Sequence, residues 1–244
     1  MRRLLFTICY DGSNYHGWQV QPNGVTVQQK VQEALKSVAS ENCSVTGCSR
    51  TDAGVHANMF CFHTDTNCNI PAERFALALN SVLPDDISAV DCKEVSTDFH
   101  ARYNCKGKNY VYKIYDGHIR DPFLNKFAYH HKGALNEQLM DKAAKAFIGE
   151  HDFIGFCSAG SSVVDTVRTV TECSVKRNGR MIEISITANG FLYNMVRIIV
   201  GTLVDVSDGR IDCDCVADVI NSKKRELAGQ TAPANGLYLN RVYY

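Results

Sequence analysis

The chain has 244 residues, 45% hydrophobic and 21% charged, with a formal net charge of zero. That suits one large domain or two modest ones, long enough to bury a core without disulfide or metal staples. Eleven cysteines, an odd number with no C-x-x-C pair, argue against a disulfide framework and for free thiols in a reducing cytosol.

The opening M-R-R-L-L-F-T-I-C-Y-D-G starts like a signal peptide. Its apolar run stops at Asp11 and no small-residue cleavage site follows, so a strand over residues 3–10 is expected. A loop rich in Gly, Asn and Gln runs to Gly24. Thr26 and Gln29 then form a T-x-x-Q capping box. Val27, Val31, Ala34, Leu35 and Val38 recur at helical spacing, which predicts a helix to about Ala39. Residues 43–48 read as a short strand and 59–64 as another. Pro71 suits the first turn of a helix continuing through Val82, and residues 87–95 read as a strand.

The second half repeats this rhythm. Lys108 to Tyr115 alternates as a strand with Tyr110, Tyr112 and Ile114 on one face. An amphipathic helix is expected over 135–147. Strands over 167–176 and 180–187 flank Asn178-Gly179, a hairpin signal. A long helix over 192–206, a short one near 212–221 and a last strand near 237–243 close the chain. The pattern predicts an α+β fold with a mixed or antiparallel sheet, in halves 1–104 and 105–244. No apolar run is long enough to cross a membrane as a helix.

Charge is uneven. Between His100 and Lys132 stand Arg102, Lys106, Lys108, Lys113, Arg120, Lys126 and Lys132, against only Asp116 and Asp121. A local basic segment in a neutral protein is either a polyanion-binding face or a solvated strand edge guarded by lysines. Within it, K-G-K-N-Y-V-Y-K interleaves cations and aromatic rings. That suits phosphates and stacked bases, or equally two core tyrosines with lysines outside.

Three further features bear on chemistry. G-C-S-R-T-D-A-G-V-H-A, at 47–57, sets Arg50 and Asp52 in a glycine-bounded loop. Asp52 there is either an isolated carboxylate available as nucleophile or base, or the cap of an Asx-turn. F-L-Y-N-M-V-R-I-I-V-G-T-L places Arg197 inside an apolar helix. Asn194, Arg197, Gly201, Asp205 and Asp208 form a solvated stripe, or Arg197 is buried and needs a carboxylate partner. Cys43, Cys48, His56, Cys61, His63 and Cys68 offer zinc donors, but at spacings unlike known finger, ribbon or deaminase patterns. No P-loop and no G-x-G-x-x-G occur.

The loop at 47–57 resembles the signature of the tRNA pseudouridine synthase A family. So do Y-D-G-S-N-Y-H-G-W-Q at 10–19, F-H-A-R at 99–102, K-x-Y-x-Y at 108–112, F-L-Y-N-M-V-R at 191–197 and T-A-P-A-N-G-L-Y-L at 231–239. These blocks span nearly the whole chain in the family's order. The resemblance implies a pseudouridine synthase fold: two related β-α-β-type halves joined through a mixed, largely antiparallel central sheet, helices on the outer faces, and a basic RNA-binding cleft. It implies a cofactor-free and metal-free isomerase, cytoplasmic and homodimeric, not bound to membrane. The reaction implied converts uridine to pseudouridine at positions 38, 39 and 40 of the tRNA anticodon stem-loop, on a base flipped out of the helix.

Asp52 matches the family nucleophile and Arg197 its ion-pair partner. Tyr110 matches the tyrosine that stacks on uracil and assists proton transfer, and Arg50 the residue that fills the flipped nucleotide's place. Thr51, His56, Arg102 and Lys108 are the remaining expected substrate-binding residues. The chain departs from the family in its many cysteines, including Cys48 inside the signature loop. Two other classes are weighed against this one. A tRNA-binding or chaperone module of the same fold has no need of Asp52. A zinc-dependent nucleobase hydrolase lacks suitable ligand spacing.

Overall fold

A computed structural model describes residues 1–160 and 163–244. In chain order its elements are β1 (Arg2–Tyr10), α1 (Val27–Ala39), β2 (Val45–Gly47), β3 (His56–Thr66), α2 (Ala72–Asn80), β4 (Ile87–Val95), β5 (Gly107–Asp116), β6 (Tyr129–His131), α3 (Glu137–Ala144), β7 (Gly149–Asp152), β8 (Val167–Asn178), β9 (Met181–Ala188), α4 (Met195–Ser207), α5 (Val216–Ser222) and β10 (Leu237–Tyr243). The chain separates into two compact units: Met1–Lys106 with Tyr238–Tyr244, and Gly107–Leu237. The final strand, grouped with the second half on sequence, therefore returns to the first unit. The architecture is α+β, with mixed and largely antiparallel strand pairing.

In the first unit the strand order is β4-β1-β3-β10. β1 pairs antiparallel with β3 and β4, and β10 runs parallel to β3. β2 pairs antiparallel with β3, Val45 opposite Thr64 and Gly47 opposite Phe62. Alternation along β1 sends Leu4, Phe6, Ile8 and Tyr10 inward, all buried. Phe6 stacks on Phe62 at 5.0 Å and meets Phe75 of α2 edge-on at 5.3 Å. The Thr26 side chain accepts from the Gln29 amide, so half of the expected capping box starts α1. α1 ends at Ala39, and its cap Ser40 takes the left-handed conformation. α2 stops at Asn80, short of the expected Val82. The Asn80 amide bonds both main-chain groups of Ala89 in β4, which draws the chain out of the helix.

In the second unit the order is β5-β9-β8-β7, all antiparallel, with β6 parallel to β5. β8 and β9 form the expected hairpin, one residue later than its sequence signal. Asn178 pairs with Met181, so Gly179-Arg180 makes the turn and Gly179 carries a φ of +59°. The helix predicted over 135–147 divides into α3, capped by Asn136, and a 3-10 turn over Lys145–Phe147. α4 begins at Met195, three residues late, because Asn194 sits at φ +61°. It ends at Ser207 with Asp208 as its cap, and Gly209 at φ +73° turns the chain away.

Candidate active site

The loop joining β2 to β3 carries Asp52. Its turn is closed by main chain: the Val55 amide donates to the Asp52 carbonyl at 3.2 Å, with Gly54 at φ +77° in the third position. That is the backbone only glycine adopts freely, and it fixes the direction in which Asp52 leaves the chain. Asp52 is half-buried and Arg50 is exposed.

The segment from Tyr10 to Trp18 cradles this loop. The Trp18 amide donates to the Thr51 carbonyl at 3.1 Å, and the Gly54 amide to the Tyr15 carbonyl at 3.3 Å. Tyr10 and Thr51 hydroxyls share a buried bond of 2.8 Å. A Cβ on Gly12 would collide with the Val55 carbonyl, and one on Gly17 with the Thr51 carbonyl, so two main chains lie in direct contact. Trp18 anchors the cradle: it is 2% exposed and stacks on Phe60 at 3.9 Å. Trp18, Gly12 and Gly17 are supports that the sequence alone does not reveal. They stand in the opening block of the family resemblance, where a run of small and aromatic residues outside any periodic element is the one available signal.

His56, expected to bind substrate, is 1% exposed. Its Nδ1 lies 3.1 Å from the Gly12 amide and 3.1 Å from Asp11 Oδ1, and its ring stacks on Tyr238 at 4.7 Å. Thr51 is likewise buried. Both brace the loop from inside. Cys48 is buried in the ladder: its amide donates to the Cys61 carbonyl at 2.8 Å, and its Sγ accepts from the Cys61 amide at 3.4 Å. It fills space as a small apolar residue. Burial pushes the Cys61 thiol above its ordinary value, as expected of an inert cysteine. Among the described residues no group of three or more His, Cys, Asp or Glu is placed to hold a metal ion. Arg102 is exposed on the turn between β4 and β5.

In the second unit, Lys108 and Tyr110 lie on β5, opposite Ala188 and Ile186 of β9. Tyr110 is 6% exposed and meets Phe191 edge-on at 5.0 Å. Tyr112 is fully buried and donates its hydroxyl to the Pro233 carbonyl at 2.7 Å. Burial pushes its phenol well above the usual value, and the positive charge of Arg197 opposes that rise. Core packing thus claims Tyr112, while Tyr110 shares its face one pleat nearer the strand's start.

Arg197 is half-buried on α4. Its Nε donates to the Ala232 carbonyl at 2.7 Å and its Nη1 to Asn194 Oδ1 at 2.8 Å. The Ala232 amide returns a bond to the Arg197 carbonyl at 3.0 Å. The segment after α5 therefore covers the helix where a solvated stripe would open. Gly201 touches Gln230 and Gly229 touches Thr202, main chain to main chain. Farther along, Asp205 and Asp208 pair with Arg210. The Ala232 carbonyl and Asn194 Oδ1 both hold the guanidinium.

Of the basic segment, Arg102, Lys106, Arg120, Lys126 and Lys132 are exposed, and Lys108 and Lys113 are half-buried.

Comparison with known proteins bears directly on this arrangement. The family model described as tRNA pseudouridine synthase matches residues 7–104 and 143–244. A protein of Acetivibrio thermocellus named tRNA pseudouridine synthase A is 48% identical over 244 residues, covering all of both chains. One of the same name from Thermoanaerobacter sp. is 49% identical, again over the full length of both. Among solved structures, an archaeal box H/ACA sRNP Nop10-Cbf5 complex gives a TM-score of 0.38 at 12% identity, covering 83% of this chain and 43% of that one. The chain belongs to the tRNA pseudouridine synthase family, isomerases acting on uridine in tRNA. No helix among the described residues is long and apolar enough to cross a membrane.

Proposed function

We propose that this protein isomerises uridine to pseudouridine at positions 38, 39 and 40 in the anticodon stem-loop of tRNA, acting in the cytoplasm as a homodimer and without a cofactor. The observation that carries the reading is Asp52, set on a main-chain turn that a second main-chain segment braces, inside the family's matched region. The reaction breaks the bond from C1′ to N1, rotates the uracil, joins C1′ to C5 and releases the C5 proton. The base must leave the helical stack first. Asp52 supplies the carboxylate, which attacks at C1′ or at C6 or promotes a glycal route.

A reactive carboxylate has to hold one direction while the base turns, and a braced turn does that better than a mobile loop. Arg50, exposed two residues before Asp52, takes the place of the flipped nucleotide. Tyr110 stacks on the uracil and assists removal of the C5 proton. Arg197 pairs with the Asp52 carboxylate and favours its ionised form. Arg102 and Lys108 contact RNA phosphates. His56 and Thr51 serve by holding the loop.

The test uses unmodified tRNA with tritium at C5 of every uridine, mixed with wild type and with Asp52→Ala. Release by wild type alone, with RNA binding kept in both, supports the isomerase and its nucleophile. No release by wild type despite tight tRNA binding leaves a binding module and overturns the proposal.

A further inference from the structure

The turn between β4 and β5 is more tightly held than its exposure suggests. The His100 amide donates to Asn104 Oδ1 at 2.6 Å, and the Asn104 amide returns to the His100 carbonyl at 2.9 Å. Arg3 of β1 donates to the Thr97 and Phe99 carbonyls at 2.5 and 2.9 Å. Tyr244 donates to the Ala101 carbonyl at 2.9 Å, and the Ala101 amide to Nδ1 of buried His63 at 3.1 Å. Ala101 is fully buried, while Arg102, Tyr103 and Asn104 beside it are exposed.

Three rings run outward through this turn. His63 meets His100 edge-on at 5.0 Å, and His100 stacks on Tyr103 at 4.2 Å with 27° between the planes. The His100 ring is itself fixed, because its Nδ1 accepts from the Arg102 and Tyr103 amides at 3.2 Å each. Tyr103 ends the series 77% exposed, with the Arg102 guanidinium 6.0 Å from its ring centre.

An exposed ring alone is ordinary; Phe123 is 87% exposed. Tyr103 differs in being backed by a second ring, carried on a clamped turn and accompanied by cations. A braced aromatic surface beside cationic side chains suits a nucleotide base and its phosphate, and bracing lowers the ordering cost of binding. Arg102 and Lys106 are the exposed cations of this turn, against the one exposed carboxylate of Asp98.

We propose that Tyr103, backed by His100, is a stacking platform for one unstacked base of the tRNA substrate, with Arg102 and Lys106 on the adjoining phosphates. This rests on the tRNA reading above and adds a positioning site to it, one that touches substrate away from the reacting atoms.

The chain's single tryptophan, Trp18, is buried, so Tyr103→Trp adds one exposed reporter ring. Titration of Tyr103→Trp with unmodified tRNA is expected to quench fluorescence beyond the change seen in wild type. In the tritium-release assay, Tyr103→Ala is expected to raise KM about ten- to a hundredfold, the loss of one base–aromatic stack. Its kcat at saturation should hold, and Tyr103→Phe, which keeps the ring, should behave as wild type. A wild-type KM for Tyr103→Ala in active protein overturns the platform, as does tRNA binding to Tyr103→Trp without added quenching. If wild type releases no tritium, the isomerase reading fails by itself and the quenching titration still decides the platform.

Discussion

The hydroxyls of Tyr10 and Thr51 share a buried hydrogen bond of 2.8 Å, tying the end of β1 to the residue before Asp52. Tyr10→Phe removes one partner and leaves the Thr51 hydroxyl to find another in a dry place. The expected cost is about 1–3 kcal/mol of stability, read by urea unfolding. Because the loop sets the direction of Asp52, kcat should fall by about tenfold or more with KM little changed, since small misplacement of a reacting group is costly. A stability loss with unchanged kcat would show that the cradle holds the fold and leaves the carboxylate alone.

His63 couples the Arg102–Tyr103 turn to pH. Burial first, then the Arg3 and His100 charges, lowers its pKa to about 4 from an ordinary 6.5. The folded protein therefore keeps it neutral where the unfolded chain binds a proton. Its contribution is fully present above pH 6.5 and is lost as pH falls toward about 4, up to about 3 kcal/mol in all. His63→Asn places an oxygen near Nδ1 to accept from the Ala101 amide and does not titrate. In that variant the fall in unfolding free energy between pH 6.5 and 4 should be smaller than in wild type. An identical slope in both proteins would place the proton uptake elsewhere.

The second unit has its own acid limb, at lower pH. Arg177 donates to Asp116 at 2.8 and 3.0 Å and to Glu137 at 2.8 Å, and the Leu135 amide donates to Asp116 at 2.9 Å. The Arg177 hydrogen bonds hold the buried Asp116 carboxyl below its ordinary 3.8, against the opposing effect of burial. A lowered carboxylate pKa stabilises the fold above the unfolded value, and that support is lost as pH falls through the folded one. Asp116→Asn should cost about 2–3 kcal/mol near neutrality, below the full cost of breaking a buried pair because Arg177 keeps Glu137. It should also flatten the stability profile below about pH 4. Unfolding curves at pH 7 and pH 3 test both effects.

Much of the fold is legible in periodicity. The spacing from Val27 to Val38, the alternation from Lys108 to Tyr115 and the Asn178-Gly179 signal each report a local cause, and the structure places a helix, a strand and, one residue on, a hairpin turn there. Element ends are less legible, because long-range bonds set them: Ala89 stops α2 through Asn80, and Asn194 delays α4 by its own backbone. β6 and β7, three and four residues long, leave no period to read. His56 shows the same limit at the site. Its place in a glycine-bounded polar loop reads as surface, yet the partners that bury it, Asp11, Gly12 and Tyr238, lie far from it in sequence. Arg197 is intermediate: its apolar neighbours are plain in sequence, but the segment that covers it comes from beyond α5.

Gly201 sets helix propensity against packing. In mid-helix, glycine to alanine ordinarily stabilises by about 1 kcal/mol. Here an added Cβ would lie far inside contact distance of the Gln230 carbonyl, a main-chain atom that cannot swing aside. Relief requires moving the 229–232 segment, which also carries the Gly229 bond to Thr202 at 2.9 Å and the Ala232 carbonyl that fixes Arg197. Gly201→Ala is therefore expected to lower Tm, with a net loss of about 1–3 kcal/mol from overpacking. Activity should drop further than stability explains, since Arg197 loses one of its acceptors. A raised Tm would mean that the covering segment yields easily and that the guanidinium needs no such clamp.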